Sequence, residues 1–239
     1  MSGSFPGFPA EGIEFFARLV RNNRREWFQP RKEIFETKLK QPMRELAIAL
    51  NGELKRIAPE YVTDPDKAIY RIYRDTRFSA DKTPYKDHIA ASFYRRGGCG
   101  HSSGGFYCAV SPKEVAVGGG IYMPDAKMLA AIRRRIAAEH VGLRRILRAK
   151  AVRELLGEMQ GERLTRVPKG YTPDHPAADL LRFKQFILYV ELPPALATSR
   201  ELYPAIVKRF RAMAPFVRFL GEACPVRENA SAAQFLTDL

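Results

Sequence analysis

The 239-residue sequence has few of the residues and patterns that form crosslinks in small folds or span membranes, and each absence excludes a class of protein. Its three cysteines, Cys99, Cys108 and Cys224, are odd in number and show no paired spacing, which argues against a disulfide framework and a structural zinc site. No apolar run approaches the roughly 20 residues that a membrane-spanning helix needs. Residues Met1–Pro6 contain no basic and no long apolar stretch, which predicts no secretory signal. From these absences we expect a cytoplasmic protein without a membrane span.

Sequence signatures of cofactor and metal binding are also missing. The sequence contains no G-x-x-x-x-G-K-[ST] phosphate loop and no G-x-G-x-x-G dinucleotide motif. Paired metal-ligand spacings such as H-x-x-x-H and C-x-x-C do not occur. We therefore expect no cofactor and no bound metal. The sequence leaves open the oligomeric state and whether any reaction is catalysed.

Positive charge is the most pronounced feature that is present. Forty Lys and Arg residues against 26 Asp and Glu give a formal net charge of +14 and an isoelectric point near 9.9. Half of this excess lies in residues 125–170, which hold 12 basic and 5 acidic residues and include the clusters Arg133–Arg135 and Arg144–Arg145. A basic field favours nucleic acid, an anionic membrane surface or phosphorylated ligands as partner. The alternative is a basic face that is merely solvated.

Apolar periodicity predicts helices at both ends of the chain and strands between them. Alternating patterns predict strands at Ala68–Phe78, His88–Arg95, Gly105–Ser111, Glu114–Tyr122 and Gln185–Leu192. Short links between the first four indicate an antiparallel meander, so we expect an α+β fold of about five strands with helices from both termini packed on it. We predict a single domain over 1–239, with N-terminal helices at 11–57, the sheet at 68–122, helices at 125–158, a loop at 161–176, and a strand and C-terminal helix at 185–220.

The segment Ile69–Phe78 combines a strand-like pattern with an unusual load of charge. Its residues include Arg71, Arg74, Asp75 and Arg77, whereas strands favour apolar and β-branched side chains. In an extended chain the odd-numbered positions face one way and the even-numbered positions face the other. Because such charges cost stability in a strand, we expect them to serve either ligand binding or an internal network of ion pairs.

The strands that follow have one apolar face and one face of small and polar residues. The second face carries Ala, Ser and Gly flanked by Tyr, and Gly118–Gly120 mark a bulge or a close approach of the backbone. We therefore expect a shallow groove with a floor of small residues, edged by Arg71, Asp75 and Arg77. The alternative is that helices cover this face and the small residues only make room for them.

More charged residues follow in a proline-fixed loop. Arginine binds phosphate or carboxylate through two hydrogen bonds at once, and lysine adds a point charge. The ligand-binding set that we predict is Arg71, Arg74, Asp75, Arg77, Asp81, Lys82, Tyr85 and, from a later loop, Lys169. In the alternative reading, Asp75 and Asp81 pair with the arginines inside the protein.

This pattern resembles the signature of a family of bacterial and fungal proteins described only as a domain of unknown function. The resemblance rests on R-x-x-R-D-x-R-F-x-x-D-K-x-x-Y at 71–85, on N-N-x-x-x-W-F at 22–28, and on P-K-G-Y followed by H-P at 168–176. It extends over nearly the whole chain. It implies one domain of about this length, and it assigns neither an activity nor a catalytic residue.

Three functions agree with these observations. The first, which we favour on the charge evidence, is a binding module for phosphate-bearing ligands, including nucleic acid, whose Arg-rich strand and basic helix face the same way. The second is an enzyme acting on a phosphorylated or carboxylated small substrate, with Asp75 or His175 moving a proton in a pocket that also contains Lys82 and Lys169. The third is a protein-interaction domain whose charges form a structural ion network.

Other noticeable residues are more typical of structural roles. The pair Trp27–Phe28 follows an amphipathic helix and is expected to lie in the core rather than to stack on a base. His175 precedes a proline, and we expect its ring to bond to the backbone. Alternation places Cys108 on the apolar face of its strand, where we expect an inert buried thiol, while Cys99 lies in a glycine loop near His101.

Overall fold

The computed structural model describes residues 5–77, 79–98 and 104–223. Its helices are α1 (Ala10–Arg21), α2 (Arg25–Phe28), α3 (Lys32–Phe35), α4 (Gln41–Ile57), α5 (Pro65–Ala68), α6 (Ala126–Arg148), α7 (Lys150–Leu156), α8 (Ala178–Leu181) and α9 (Leu202–Ala223). Its strands are β1 (Ile89–Tyr94), β2 (Gly105–Val110), β3 (Val115–Ile121) and β4 (Phe186–Leu192). The mixture of helices with one antiparallel sheet confirms the expected α+β class. Across the described ranges, no helix has the length and apolar character needed to cross a membrane.

The four strands form one antiparallel sheet in the order β1-β2-β3-β4. Each begins and ends within one residue of a predicted strand, because turn residues bound every apolar alternation. β4 comes about 65 residues after β3 in the chain, yet it pairs with β3 along its whole length, from Val115↔Leu192 to Ile121↔Phe186. The helices α6, α7 and α8 therefore form the connection between the last two strands.

The first of the five predicted strands, Ala68–Phe78, does not form a strand of this sheet. Ala68 ends the short helix α5, whose first turn is capped by the Asp64 side chain. After it, Ile69 bridges to Ala91 and Tyr73 bridges to Tyr85, both as isolated pairs. The segment therefore moves from the edge of β1 onto its own following loop. The predicted alternation survives, since Arg71, Tyr73, Asp75 and Arg77 are exposed while Ile72 is buried. Phe78 lies outside the described residues.

One face of the sheet packs against α9 and carries the core. Phe93, Phe106 and Phe210 contact one another here, with ring centroids of Phe106 and Phe210 4.9 Å apart. Helix α9 lies so close to β3 that a Cβ on Gly119 would be 2.5 Å from the Met213 sulfur. Cys108 is a buried free thiol on this face, as alternation predicts, and burial raises its pKa to about 12. Cys99, His101 and Cys224 lie outside the described residues.

The N-terminal helices form an aromatic cluster beside this core. Phe15, Phe16, Phe28 and Phe35 are buried and contact one another edge-on or tilted. The later part of the predicted N-terminal helical region, residues 29–57, is helical throughout but changes its pitch along its length. A π-helical turn at Glu36–Lys40 precedes Pro42, which is a site where helices commonly deform because proline has no N–H to donate.

Candidate functional site

The sheet face that points away from α9 carries two rows of directly paired residues across all four strands. The first row is Ser92, Tyr107, Gly118 and Tyr189. The second row is Tyr94, Gly105, Gly120 and Ile187. Paired residues share a face of a sheet, so the small residues of these rows leave a depression between the large ones.

This depression is a cavity of about 470 Å³, which we call the tyrosine groove. Its lining includes five of the ten tyrosines in the chain: Tyr70, Tyr94, Tyr107, Tyr122 and Tyr189. Every described lining residue belongs to a strand or to a loop, and none to a helix. A cavity with a floor of small residues is therefore present, and no described helix fills it. Its lining does not include Arg71, Asp75 or Arg77, the residues expected at its edge.

The floor of the groove depends on residues without bulky side chains. Ala90, Ala109 and Ala116 form a small apolar cluster against Tyr70, Tyr107 and Tyr189. At Gly118, an added Cβ would lie 3.1 Å from Cδ2 of Tyr189 and 3.0 Å from the carbonyl oxygen of Leu188. Any larger side chain at this position would therefore enter the groove or displace its wall.

Two tyrosine hydroxyls of the groove are held in the neutral form. Burial raises the pKa of Tyr107 well above its ordinary value. Burial, followed by the negative charges of Glu114 and Glu191, raises the pKa of Tyr189 to about 12. Both hydroxyls therefore keep their protons at neutral pH and can donate hydrogen bonds.

Two positive side chains lie at the β1 edge of the groove. The Lys86 ammonium is 5.0 Å from the centre of the Tyr70 ring, and Tyr70 in turn contacts Tyr107 edge-on. Burial and the nearby charge of Arg71 lower the pKa of Lys86. Within the described residues, neither Arg71 nor Lys86 has a carboxylate within 4 Å. Lys86 and Arg71 are therefore neighbouring cations beside the groove, outside its lining, and the described residues give them no carboxylate partner.

The other charges of the arginine segment are paired with each other. Arg77 binds both oxygens of Asp75, at 3.0 and 2.8 Å, and Arg74 contacts Asp81 and Thr83. The bonds from Arg77 lower the pKa of Asp75 to about 2. The Thr83 backbone N–H and the Arg74 guanidinium do the same for Asp81. Asp75 is thus an ionised partner of Arg77, which suits an ion network better than proton transfer at neutral pH.

The signature residues are fixed to the N-terminal helices through Tyr85. Asn23 donates to the Tyr85 carbonyl at 2.8 Å and accepts from the Tyr85 N–H at 3.1 Å. The Tyr85 ring stacks on Phe28 with centroids 4.1 Å apart. These contacts join the N-N-x-x-x-W-F motif to the arginine signature. Phe28 is buried in the core, as its position after an amphipathic helix predicts.

We expect Asn23→Ala to lower the free energy of unfolding by about 2 kcal/mol, because it leaves two backbone groups of a buried residue unpaired. Chemical denaturation measures the change. Asn22→Ala is the matched control, since Asn22 makes one exposed hydrogen bond to the Arg18 carbonyl. Equal effects of the two substitutions would show that Asn23 does not hold Tyr85 in place.

A second concave site adjoins the groove at Lys86, and we call it the signature cleft. Its volume is about 420 Å³, and it is lined by Val20, Asn23, Arg74, Asp81, Thr83, Tyr85, Lys86, Asp87 and His88. Within it, Nδ1 of His88 lies 3.0 Å from Oδ1 of Asp87, whose other oxygen is 3.8 Å from the Lys113 ammonium. Three residues of the predicted binding set, Arg74, Asp81 and Tyr85, therefore belong to this cleft. Lys82 instead donates to the Thr76 carbonyl.

His175 and Lys169 are not brought near Asp75. The arginine segment bridges to β1, at one edge of the sheet. At the opposite edge, Gln160 bridges to Ile187 in β4, and Arg163 bridges to Phe183 just before β4. Nδ1 of His175 accepts the Ala177 N–H at 3.0 Å, so the ring bonds to the backbone as expected for a structural histidine. Asp179 pairs with Arg144. Of the four residues that the enzyme hypothesis joins in one pocket, Asp75, Lys82, Lys169 and His175, none lines the tyrosine groove or the cleft described above.

The basic helix α6 lies in the helical layer and does not face the groove. It packs on α9, which itself packs on the other face of the sheet. Arg133 donates to the carbonyls of Leu181 and Phe183, and Arg144 pairs with Asp179. Arg135 pairs with Glu139 and Glu222. Three of the seven basic residues of α6 are thus held in contacts within the protein, and the helix packs on the α9 side of the sheet. A shared ligand-binding face of the basic helix and the arginine segment stays a prediction.

We expect Arg133→Ala to lower the free energy of unfolding by about 2 kcal/mol, because two buried carbonyls lose hydrogen bonds from a charged donor. Its exposed neighbour is the control: Arg134→Ala removes the same charge and should change stability by less than about 0.5 kcal/mol. Thermal and chemical unfolding of both variants test this. Matching losses would mean that α6 contributes to stability through its overall charge rather than through this contact.

Sequence reasoning missed the residues that surround the predicted segment. Lys86 and His88 follow the signature directly, but nothing in a one-dimensional pattern shows that Lys86 lies on Tyr70. The sequence does show tyrosines on either side of a strand face made of small residues. Their convergence on one cavity requires β4, which is distant in sequence.

The fold and sites define an α+β protein with an open, tyrosine-lined sheet face. The family model described as conserved hypothetical protein (DUF2461) matches residues 11–219, and the chain belongs to this family. Searches of curated proteins and of solved structures gave no match.

Proposed function

We propose that the protein binds a nucleotide-like ligand, with a planar ring in the tyrosine groove and a phosphate at Arg71 and Lys86. The observation that carries this proposal is a pair of neighbouring cations, to which the described residues offer no carboxylate partner, next to a cavity lined by aromatic rings. The proposal keeps the expected anion binding by the arginine segment and assigns it to Arg71 together with Lys86. The basic helix α6 takes no part in it.

The size and lining of the groove suit one aromatic ring system. A volume of about 470 Å³ lies within the usual range of roughly 300–1,000 Å³ for small-molecule sites. Stacking of a base on an aromatic side chain contributes about 1–3 kcal/mol and tolerates different bases. The neutral hydroxyls of Tyr107 and Tyr189 supply donors that could orient the ring.

The cationic edge supports an anion as the second part of the ligand. Lys86 is half-buried and close to the like charge of Arg71, so its ammonium is less stable than it would be in water. A phosphate between the two would relieve this repulsion and accept hydrogen bonds from both. The net charge of +14 would further attract a polyanion that carries such phosphates.

We also propose a cytoplasmic location. The three cysteines have no paired spacing, and Cys108 is a buried free thiol, which agrees with a reducing compartment.

Calorimetric titration with adenosine 5′-monophosphate tests the proposal. Lys86→Gln and Arg71→Gln should each weaken binding at least tenfold, since each removes a charged hydrogen-bond donor. Adenosine without the phosphate should bind correspondingly less well. Lys55→Gln is the matched control, because Lys55 is exposed on α4 and the substitution removes the same charge. Absence of binding at millimolar nucleotide, or equal affinity of all three variants, would contradict the proposal.

A further inference from the structure

We infer that the signature cleft is a catalytic site for RNA cleavage, in which His88 is the general base and Lys86 the general acid. This inference rests on the proposed function, because the nucleotide bound in the tyrosine groove would place its phosphate at Lys86. The substrate is a single-stranded ribonucleotide chain. The reaction is attack of a ribose 2′-hydroxyl on the adjacent phosphorus.

The arrangement of His88 supports a role in proton transfer. Nδ1 of its ring is 3.0 Å from Oδ1 of Asp87, so in the neutral ring the proton lies on Nδ1 and Nε2 is left as the basic nitrogen. Burial acts to raise the pKa of Asp87, but the bond from His88 and the nearby positive charge lower it on balance. A carboxylate that fixes the tautomer of a half-buried histidine is the arrangement that general bases use.

Lys86 connects this histidine with the groove. It lines the signature cleft together with His88, and its ammonium also lies on the Tyr70 ring at the groove edge. Burial and Arg71 make its ammonium more acidic than that of an exposed lysine. The other charged residues that line the cleft, Arg74 and Asp81, pair with each other and leave Lys86 as the available acid.

A base at His88 and an acid at Lys86 suit a reaction in which the substrate itself supplies the nucleophile. Nε2 of His88 takes the proton of the 2′-hydroxyl, and the 2′-oxygen forms a bond to phosphorus. The bond from phosphorus to the 5′-oxygen breaks, and that oxygen takes a proton from the Lys86 ammonium. The products are a 2′,3′-cyclic phosphate and a 5′-hydroxyl. His88 then releases its added proton to solvent, and Lys86 takes one back from solvent. An internal nucleophile profits from proximity, which can supply much of the barrier reduction.

The test compares a 5′-labelled single-stranded RNA of mixed sequence with DNA of the same sequence. We expect cleavage of the RNA only, with cyclic phosphate ends identified by mass spectrometry and a bell-shaped dependence of the rate on pH. His88→Gln should reduce the cleavage rate at least 100-fold while the affinity for the DNA changes less than threefold. Asp87→Asn should reduce the rate less and alter the pH profile. Lys55→Gln should cleave at the wild-type rate.

Each other outcome has a separate meaning. If the DNA binds but the RNA stays intact, the catalytic inference is wrong and the proposed function stands. If neither binds, the proposed function fails as well. Cleavage of DNA and RNA at equal rates would exclude the 2′-hydroxyl as nucleophile, and undiminished cleavage by folded His88→Gln would exclude His88 as the base.

Discussion

Replacing Gly120 with alanine is expected to lower the free energy of unfolding by about 4 kcal/mol. Gly120 has a φ of 125°, a conformation that costs an L-residue about 1–3 kcal/mol. An added Cβ would also lie 2.0 Å from the Phe186 carbonyl oxygen, on the neighbouring strand β4. Because backbone cannot move aside as a flexible side chain can, the overlap adds about 1–3 kcal/mol.

Gly142→Ala is the control for this experiment. Gly142 lies in α6, and an added Cβ there would meet no atom within 4 Å. Alanine is a better helix former than glycine, so this variant should gain about 0.5–1 kcal/mol. Chemical denaturation of both variants gives opposite signs if the account is correct. A loss below 1 kcal/mol in Gly120→Ala would show that the pairing of β3 with β4 is wrong at this position.

Phe28→Ala is expected to lower the free energy of unfolding by about 3–5 kcal/mol. Phe28 is 1% exposed and contacts Phe15 and Phe35 in the aromatic cluster. Truncation of a buried phenylalanine leaves a cavity as well as losing apolar contacts. It also removes the ring on which Tyr85 stacks, so the arginine signature keeps only its Asn23 hydrogen bonds from Tyr85 to the N-terminal region.

The neighbouring Trp27→Ala provides the comparison. Trp27 is only partly buried, and its ring centroid is 5.5 Å from that of Phe15. The Arg31 guanidinium lies over its ring. We expect it to cost clearly less than Phe28→Ala, despite the larger side chain. Denaturation curves of the two variants decide the order. A greater loss for Trp27→Ala would contradict the placement of Phe28 in the core and of Trp27 at its margin.

Much of the fold follows from local patterns. The turns Ser111–Lys113 and the glycine loop before Gly105 bound runs of alternating residues, so β1 to β3 are predicted to within a residue. The last strand follows from its apolar alternation as well. The partner of β4 could not be predicted in this way. β4 pairs with β3, about 65 residues earlier in the chain, and neither segment alone shows a pattern that indicates this pairing.

The arginine segment shows the limit of such patterns. Alternation of exposed and inward residues over 71–77 is present as predicted, but alternation describes an extended backbone and not a paired strand. Pairing is decided by partners. Tyr73 finds Tyr85, and Arg74 donates its N–H to the Pro84 carbonyl, so the segment leaves β1 after its first residues.

The candidate sites were partly predictable for the same reason. A face of Ala, Ser and Gly flanked by Tyr indicates a depression, and this is the tyrosine groove. The partners of individual charges depend on tertiary contacts, as the bond from Arg133 to carbonyls 48 and 50 residues away illustrates. Counting basic residues therefore overstated the free charge on α6.

Nucleotide binding in the tyrosine groove can be located directly on the protein by ¹⁹F NMR. The protein is labelled with 3-fluorotyrosine, and adenosine 5′-monophosphate is added while the ten tyrosine signals are followed. We expect the signals of Tyr70, Tyr107 and Tyr189 to shift with one common affinity, while those of Tyr171 and Tyr203, on the helical side of the protein, stay in place. Shifts confined to Tyr171, beside the basic helix, or no shifts at millimolar nucleotide would contradict it.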